Sequence, residues 1–500
     1  MRAARQIPAF LLVSASAAVL FGCTVGPDFE RPLAPVVPRF TEQPLPPETV
    51  SAAIQGGDAQ RFLEGQDVPG QWWTLFGSQA LNQLVEMALA GNPNLEAAQA
   101  SLRQARENYI ATAGGLQPQV DAGGGVQRER AINEGQTFDL FSASVDVSYA
   151  VDAFGGLRRS LEAAGAVEEN TRFELEATYL SLISNVIISA IQQASLRGEL
   201  QATQDIISAQ AQQLDLLNQQ FELGAVARGD VLAQQSQLAQ TQASLPPLQR
   251  ELEQTRNQLA LLLGRFPAEG QIPIIELSDL ILPQQLPISL PSRLVEQRPD
   301  VRASEATLHQ ASALVGVAEA DLLPQFTLSG SLSSSAGVFT EFLSLQNTAL
   351  QLAAGVTQPI FNGGTLRARQ RAAVAQFDQA QAQYRSTVLG AFTDVANVLS
   401  ALQRDAETLQ VQLYAEQTAG QSLEITTERF QAGAIAYLSL LDAQRTYQQA
   451  RILLVRAQAN RYSDTVALFT SLGGGWWNRQ DVPEPYATPV SAPRSLFGSP

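Results

Sequence analysis

The chain has 500 residues, 45% of them hydrophobic and only 16% charged, with a formal net charge of -16. All 32 basic residues are arginine, and the acidic balance argues against a nucleic-acid partner, which requires a basic surface. A single His and a single Cys rule out a disulfide framework and leave little for metal ligation or a Cys/His dyad, so the expectation is a protein that is not an enzyme and carries no bound cofactor.

The first 22 residues read as an export signal: Arg2 and Arg5 precede an apolar run from Ile7 to Val19 that is too short for a membrane span. Leu20-Phe21-Gly22-Cys23 then resembles a bacterial lipoprotein processing site, with Phe21 where a small or β-branched residue is usual. Cys23 is therefore the expected first mature residue, covalently bearing diacylglycerol and palmitate. Thr24 follows it in place of the Asp that commonly retains lipoproteins at the inner membrane, which implies outer-membrane sorting. Residues 23–75 are read as a lipid-anchored extended segment, and no later stretch reads as a transmembrane helix.

An internal repeat organises the remainder. Pro93, Leu95, Ala97, Ala100, Leu102 and Gln104 recur as Pro299, Val301, Ala303, Ala306, Leu308 and Gln310, and Leu116-x-Pro118-Gln119 recurs as Leu322-x-Pro324-Gln325. The offset grows from 206 to 209 by Phe221-Glu222-Leu223-Gly224-Ala225 and Phe430-Gln431-Ala432-Gly433-Ala434. Shared punctuation in a shared order indicates duplication rather than chance likeness of alanine-rich helices. The divisions that follow are repeat 1 over 76–267, a linker over 268–290, repeat 2 over 291–473 and a tail over 474–500.

Each repeat is expected to hold a helix, a strand pair and a long helical hairpin. Phe141, Ala143, Val145, Val147, Tyr149 and Val151 alternate with Ser142, Ser144, Asp146, Ser148 and Asp152, the period of a strand with two unlike faces. Phe326, Leu328, Gly330 and Leu332 against Thr327, Ser329, Ser331 and Ser333 repeat the pattern, with Leu350, Leu352, Ala354 and Val356 on a partner strand. Such strands suit either half-buried soluble hairpins or an outer-membrane barrel. Leu200, Ile207, Leu214 and Phe221 fall seven apart, as do Val231, Leu238, Leu245, Leu252 and Leu259, which predicts coiled-coil packing with a kink at Pro246-Pro247. Gly155-Gly156 and Gly363-Gly364 lie outside any phosphate-loop fingerprint and are read as strand-to-helix turns.

Four strands cannot close a barrel, so copies must combine: two would give a wall filled by side chains, whereas three would leave a lumen. The fold class expected is mainly α with a small β part. Duplicated coiled-coil hairpins would form an α-barrel in a trimer, and four strands per chain would contribute to a twelve-strand transmembrane β-barrel.

Cys23-Thr24-Val25-Gly26-Pro27-Asp28-Phe29, Trp72-Trp73-x-x-Phe76, Pro324-Gln325 and Arg429-Phe430 to Leu441-Asp442-Ala443-Gln444 resemble the NodT/OprM branch of TolC-type outer-membrane factors. The resemblance spans nearly the whole mature chain. It implies a homotrimeric, passive exit duct in outer-membrane lipid for drugs or other small toxic compounds. A periplasmic adaptor and an inner-membrane pump of the resistance-nodulation-division type would be its partners. The outer component of a type I protein-secretion system is the nearest alternative, and a lipid-anchored periplasmic coiled-coil scaffold is the alternative of another class.

The same resemblance places the hairpin turns Gly224-Ala225 and Gly433-Ala434 at the periplasmic tip, where an adaptor would touch. It makes Arg429, Phe430 and Asp442 the aperture gate. Ile435 and Ser439 stand where some relatives carry charges, so an ion-pair lock would be thin. Arg228 and Asp230 are read as a helix start, and His309, without a second His or Cys nearby, as structural.

Overall fold

The computed structural model describes residues 24–130, 137–270, 272–342 and 344–479. The export signal, Cys23 and most of the C-terminal tail lie outside the described residues.

The N-terminal segment contributes β1 (Arg61–Glu64), and a 3-10 turn at Trp72–Phe76 leads into α1 (Gln79–Gly91). The first repeat runs through α2 (Pro93–Gly114), β2 (Gln119–Arg130), β3 (Thr137–Val151), α3 (Gly156–Glu222), α4 (Arg228–Ala243) and α5 (Leu245–Leu262). Beyond β4 (Gln285–Ile288) and α6 (Pro291–Gln297), the second repeat holds α7 (Pro299–Ala320), β5 (Gln325–Ala336), β6 (Thr348–Thr357), α8 (Thr365–Gln431) and α9 (Tyr437–Ser471). The duplication extends to element length: α2 and α7 have 22 residues each, α3 and α8 have 67. At 1.5 Å per residue, each long helix extends about 100 Å.

Local chemistry sets these boundaries. The Asn92 side chain accepts the N–H groups of Asn94 and Leu95 at 2.9 and 3.1 Å, and Pro93 opens α2, where its missing N–H costs nothing. Ser244 separates α4 from α5 because Pro246 and Pro247, in the first turn of α5, have no N–H to continue a helix arriving from α4.

The coiled-coil register differs from the sequence reading. Leu200 is buried, but Ile207 and Leu214 are half-buried and Phe221 is exposed. The residues that stay buried at a seven-residue spacing are Leu196, Thr203, Gln210 and Leu217. On α4 the buried positions are likewise Gln234, Gln237 and Thr241, while Val231 and Leu238 are only half-buried. The seam inside one hairpin is thus partly polar. The apolar heptads form a second stripe that this chain alone does not cover.

β2, β3, β5 and β6 form one antiparallel sheet in that order, and β1 pairs with β4 in a small parallel sheet. β2 was not evident from alternation, because Gly123-Gly124-Gly125 interrupts its pattern. The main core lies between the sheet and the hairpin tips. There Trp72, Phe76, Leu81 and Leu84 pack with Ile183, Ile187 and Ile191 of α3 and Phe469 of α9. Trp476 Nε1 donates to the Gln297 carbonyl at 2.7 Å, so the chain just past repeat 2 also joins this belt. One window of α3 is long and apolar enough to span a membrane by composition, a feature the sequence reading passed over, but half of that window is buried inside the protein.

Candidate functional site

Residues paired across an antiparallel sheet share a face, so the register fixes what each side of the sheet presents. One side carries Val120 and Ala122 of β2, Val145, Val147 and Tyr149 of β3, Leu328 and Leu332 of β5, and Leu350, Leu352 and Val356 of β6. The other carries Gln119 and Asp121, Ser144, Asp146 and Ser148, Ser329 and Ser331, and Gln351. Every residue of β2 is exposed, and Leu352 is 79% exposed, so among the described residues no layer covers the apolar side.

The apolar band has defined ends. Toward the β2–β3 loop, Arg128 and Asp139 occupy the outward side and pair at 3.4 Å, while Phe141 and Phe339 meet edge to face at 5.5 Å. At the helix end, Phe154 and Phe326 lie 6.4 Å apart and Ile360 and Phe361 are about fully exposed, at 89% and 91%. An apolar band about 25 Å tall between aromatic girdles is the surface a bilayer requires.

At the opposite end of the long helices, the two hairpin tips are built alike. Gly224 (φ 72°) donates to Phe221 O at 2.9 Å and Ala225 donates to Gln220 O at 2.8 Å; Gly433 (φ 71°) and Ala434 repeat this on Phe430 and Arg429. These paired bonds close a helix through a left-handed residue, which is why both turns carry Gly. The Asp230 carboxylate accepts the Ala227 N–H at 3.2 Å and so restarts the chain as α4. Leu223 projects from the first tip at 84% exposure.

Arg429 and Asp442 are exposed, and among the described residues neither forms an ion pair within the chain. Phe430 is half-buried, edge to face with Tyr437 at 5.2 Å and packed with Leu217, Leu440 and Leu441. The polar ties between the hairpins come from residues the sequence reading missed. Tyr437 Oη donates to Gln234 Oε1, Gln234 Nε2 donates to Gln210 O at 2.7 Å, and Arg445 Nε donates to Gln237 Oε1 at 2.6 Å. Burial, aided by Asp230, pushes the Tyr437 phenol well above its ordinary range, so it remains a donor. The only sequence trace of this network is the run of Gln and Thr at seam positions.

His309 stacks on Phe29 at 4.3 Å, and its Nε2 lies 3.0 Å from Glu162 Oε1. It ties the N-terminal segment to α3 and α7.

An exposed apolar strand wall joined to paired helical hairpins about 100 Å long is matched by the sequence pattern of outer membrane efflux proteins, over residues 84–265 and 290–474. The chain belongs to the outer membrane efflux protein family. It is 33% identical to the pyoverdine export outer membrane protein OpmQ of Pseudomonas putida, over 87% of this chain and 94% of the relative. With the cation efflux system protein CusC of Escherichia coli it shares 29% identity over 94% of this chain and 99% of the relative. The solved outer-membrane channel OprN superposes with a TM-score of 0.80 at 31% identity, covering 91% of this chain and all (100%) of that one. The efflux protein described here thus has the TolC-like channel fold, resides in the outer membrane and serves as the outer-membrane component of an efflux system. The family is one of channels.

Proposed function

We propose that three copies close into a twelve-strand barrel whose lumen continues into a periplasmic tunnel of long helices, and that drugs or other small toxic compounds leave through it. One observation carries this reading: the continuous apolar face spans all four strands, and among the described residues the two outermost strands, β2 and β6, have no strand partner on their outer edges. Open edges of this kind demand pairing. In an antiparallel sheet of four, β2 and β6 run in opposite directions, so β6 of one copy can pair with β2 of the next without breaking the pattern. Three copies leave a lumen where two would not. The second, half-buried stripe on α3 and α4 would be covered by helices of a neighbouring copy.

Passive conduction needs an energised partner, which supports an inner-membrane pump, of the resistance-nodulation-division type, joined through an adaptor at Gly224-Ala225 and Gly433-Ala434. Arg429 and Asp442, exposed and unpaired among the described residues of one chain, are free to meet across subunits as a gate, with Phe430 bracing the hairpin beneath them. Acylation of Cys23 by diacylglycerol and palmitate would add a lipid anchor. Its neighbour Thr24 sits against Gly155 at the foot of the strands, which is where such an anchor could enter a bilayer.

The test places one charge on each side of the wall. Leu352→Arg should cost about 2–4 kcal/mol in the bilayer and abolish heat-resistant trimers and bilayer conductance, whereas Ser331→Arg should preserve both. If both variants assemble and neither they nor the wild type conducts, the sheet is a soluble one and the protein an anchored scaffold.

A further inference from the structure

The residues immediately after position 23 do not trail from the surface; they are seized by a buried arginine. Arg159, in the first turn of α3, has a side chain only 4% exposed. Its Nε donates to Val25 O at 3.1 Å, and its Nη2 donates to Gly26 O at 3.2 Å and to Asp28 Oδ1 at 2.6 Å. Nη1 is held by Glu162 Oε2 at 2.7 Å, which fixes the guanidinium plane. Val25 N–H in turn donates to Phe154 O at 3.0 Å, at the β3–α3 turn.

Backbone meets backbone at two glycines. A Cβ on Gly26 (φ 88°) would lie 2.3 Å from Gly316 Cα, and one on Gly155 would lie 2.9 Å from Thr24 Cα. Phe29 then stacks on His309, and Arg31 Nε reaches Glu305 Oε1 at 2.9 Å. The guanidinium fork reads two carbonyls and a carboxylate, so it recognises a chain path with a glycine at 26 and an acid at 28. A bare acyl chain supplies affinity for a bilayer and little orientation. Val25 is tied to Phe154, whose ring lies 6.4 Å from Phe326 at the foot of the strands, and in sequence Cys23 precedes this tie by two residues.

We propose that Arg159, with Gly155, Gly316 and His309, forms a docking socket that pins the acyl-bearing residue to the foot of the strand wall, so that lipid and strands enter the membrane in one register. Arg159 is the positioning residue of this socket. The inference rests on the acylation of Cys23 proposed above.

The experiment is a cycle of variants. Arg159→Met is made in the acylated protein and in a Cys23→Ser chain exported with an ordinary cleavable leader. The mass of the N-terminal peptide and the yield of heat-resistant trimer in outer-membrane fractions are then measured. The socket predicts an unchanged acyl mass and a trimer yield lowered about tenfold in the acylated background, the scale of one lost charge-assisted hydrogen bond, with little further loss in the Cys23→Ser background. Gly26→Val, which blocks the strap while leaving α3 intact, should give the same background-dependent loss. Equal losses in both backgrounds make Arg159 a plain fold residue and overturn the socket, as does full trimer yield for both variants in the acylated protein. An N-terminal peptide without acyl mass in the wild type overturns the acylation reading itself, and the socket with it.

Discussion

Tyr437 at the start of α9 donates its phenolic O–H to the side-chain oxygen of Gln234 on α4, so each hairpin tip holds the other through one buried hydrogen bond. Gln234 is fully buried (0% exposed) and spends its amide on the backbone of Gln210, so its oxygen has Tyr437 as donor. Any widening at the tips that separates α9 from α4 must break this bond and the Arg445–Gln237 bond beside it. Tyr437→Phe should therefore loosen the tips by about 1 kcal/mol, roughly a fivefold rise in the open-to-closed ratio. Single-channel recording in planar bilayers checks it, with Arg445→Ala as the companion. A double variant that opens no more often than wild type would show that these bonds do not hold the tip shut.

Arg429 and Asp442 call for a different test because among the described residues they make no ion pair within one chain. If they pair between copies, the pair is exposed and contributes about 0–1 kcal/mol, so Arg429→Ala or Asp442→Ala should raise closed-state conductance modestly, by at most about fivefold. The double variant should match either single one, since removing both partners of one pair removes one interaction. Conductances that add independently would mean the two residues act apart.

The contrast between these two sites shows what sequence conveys and what it does not. Duplication, strand alternation in β3, β5 and β6, and the glycine turns at 224 and 433 were all readable, because each reflects a local rule: period two, left-handed glycine, a chain break at Pro246-Pro247. The seam of the coiled coil was not. Leucines at seven-residue spacing drew attention to Leu200 through Phe221, but a helix in a tubular wall has neighbours on two sides, and the stripe closed within one chain is the polar one through Thr203 and Gln210. Tyr437, Gln234 and Arg445 were missed for the same reason: their partners lie on another hairpin, some 203 residues away for Tyr437 and Gln234. Arg159 was likewise invisible, since nothing local announces that it will fold over Val25 and Gly26.

Toward the C-terminal end of α9, Asp464 faces Asp405 of α8, and Arg461, wholly buried, donates to Asp58 O at 3.1 Å and Gln60 Oε1 at 2.9 Å. Burial, and then the Asp405 carboxylate, push the Asp464 carboxyl up to about 7, with Arg461 opposing. A carboxyl raised above its unfolded value holds its proton in the folded state while the unfolded chain has released it. The stability it contributes is thus complete in acid and is lost as pH rises through about 7. Thermal unfolding of the detergent-solubilised protein should show a midpoint that falls as pH rises from about 4 to about 7 and then levels off, the window set by this shift, and Asp464→Asn should flatten that dependence and raise the midpoint at the alkaline end. An unchanged slope in the variant would place the pH sensitivity elsewhere.

On the polar side of the strand wall, Asp121 and Asp146 stand directly opposite each other, and Ser144 Oγ donates to Asp146 Oδ2 at 2.7 Å. Like charges paired across strands are unfavourable, and their neighbours on this side, Ser148, Ser329, Ser331 and Gln351, bring no compensating cation. In the closed barrel, each copy would contribute both carboxylates to one belt around the lumen, a negative ring of the kind that favours cations. The wild-type channel should accordingly prefer cations in a salt gradient. Asp121→Asn with Asp146→Asn should shift the reversal potential toward zero while leaving trimer yield intact or slightly improved, because the variant relieves the cross-strand repulsion. A reversal potential unmoved by the double change would assign ion preference to the narrow tip, where Glu222, Asp230, Glu428 and Asp442 are carboxylates at hand.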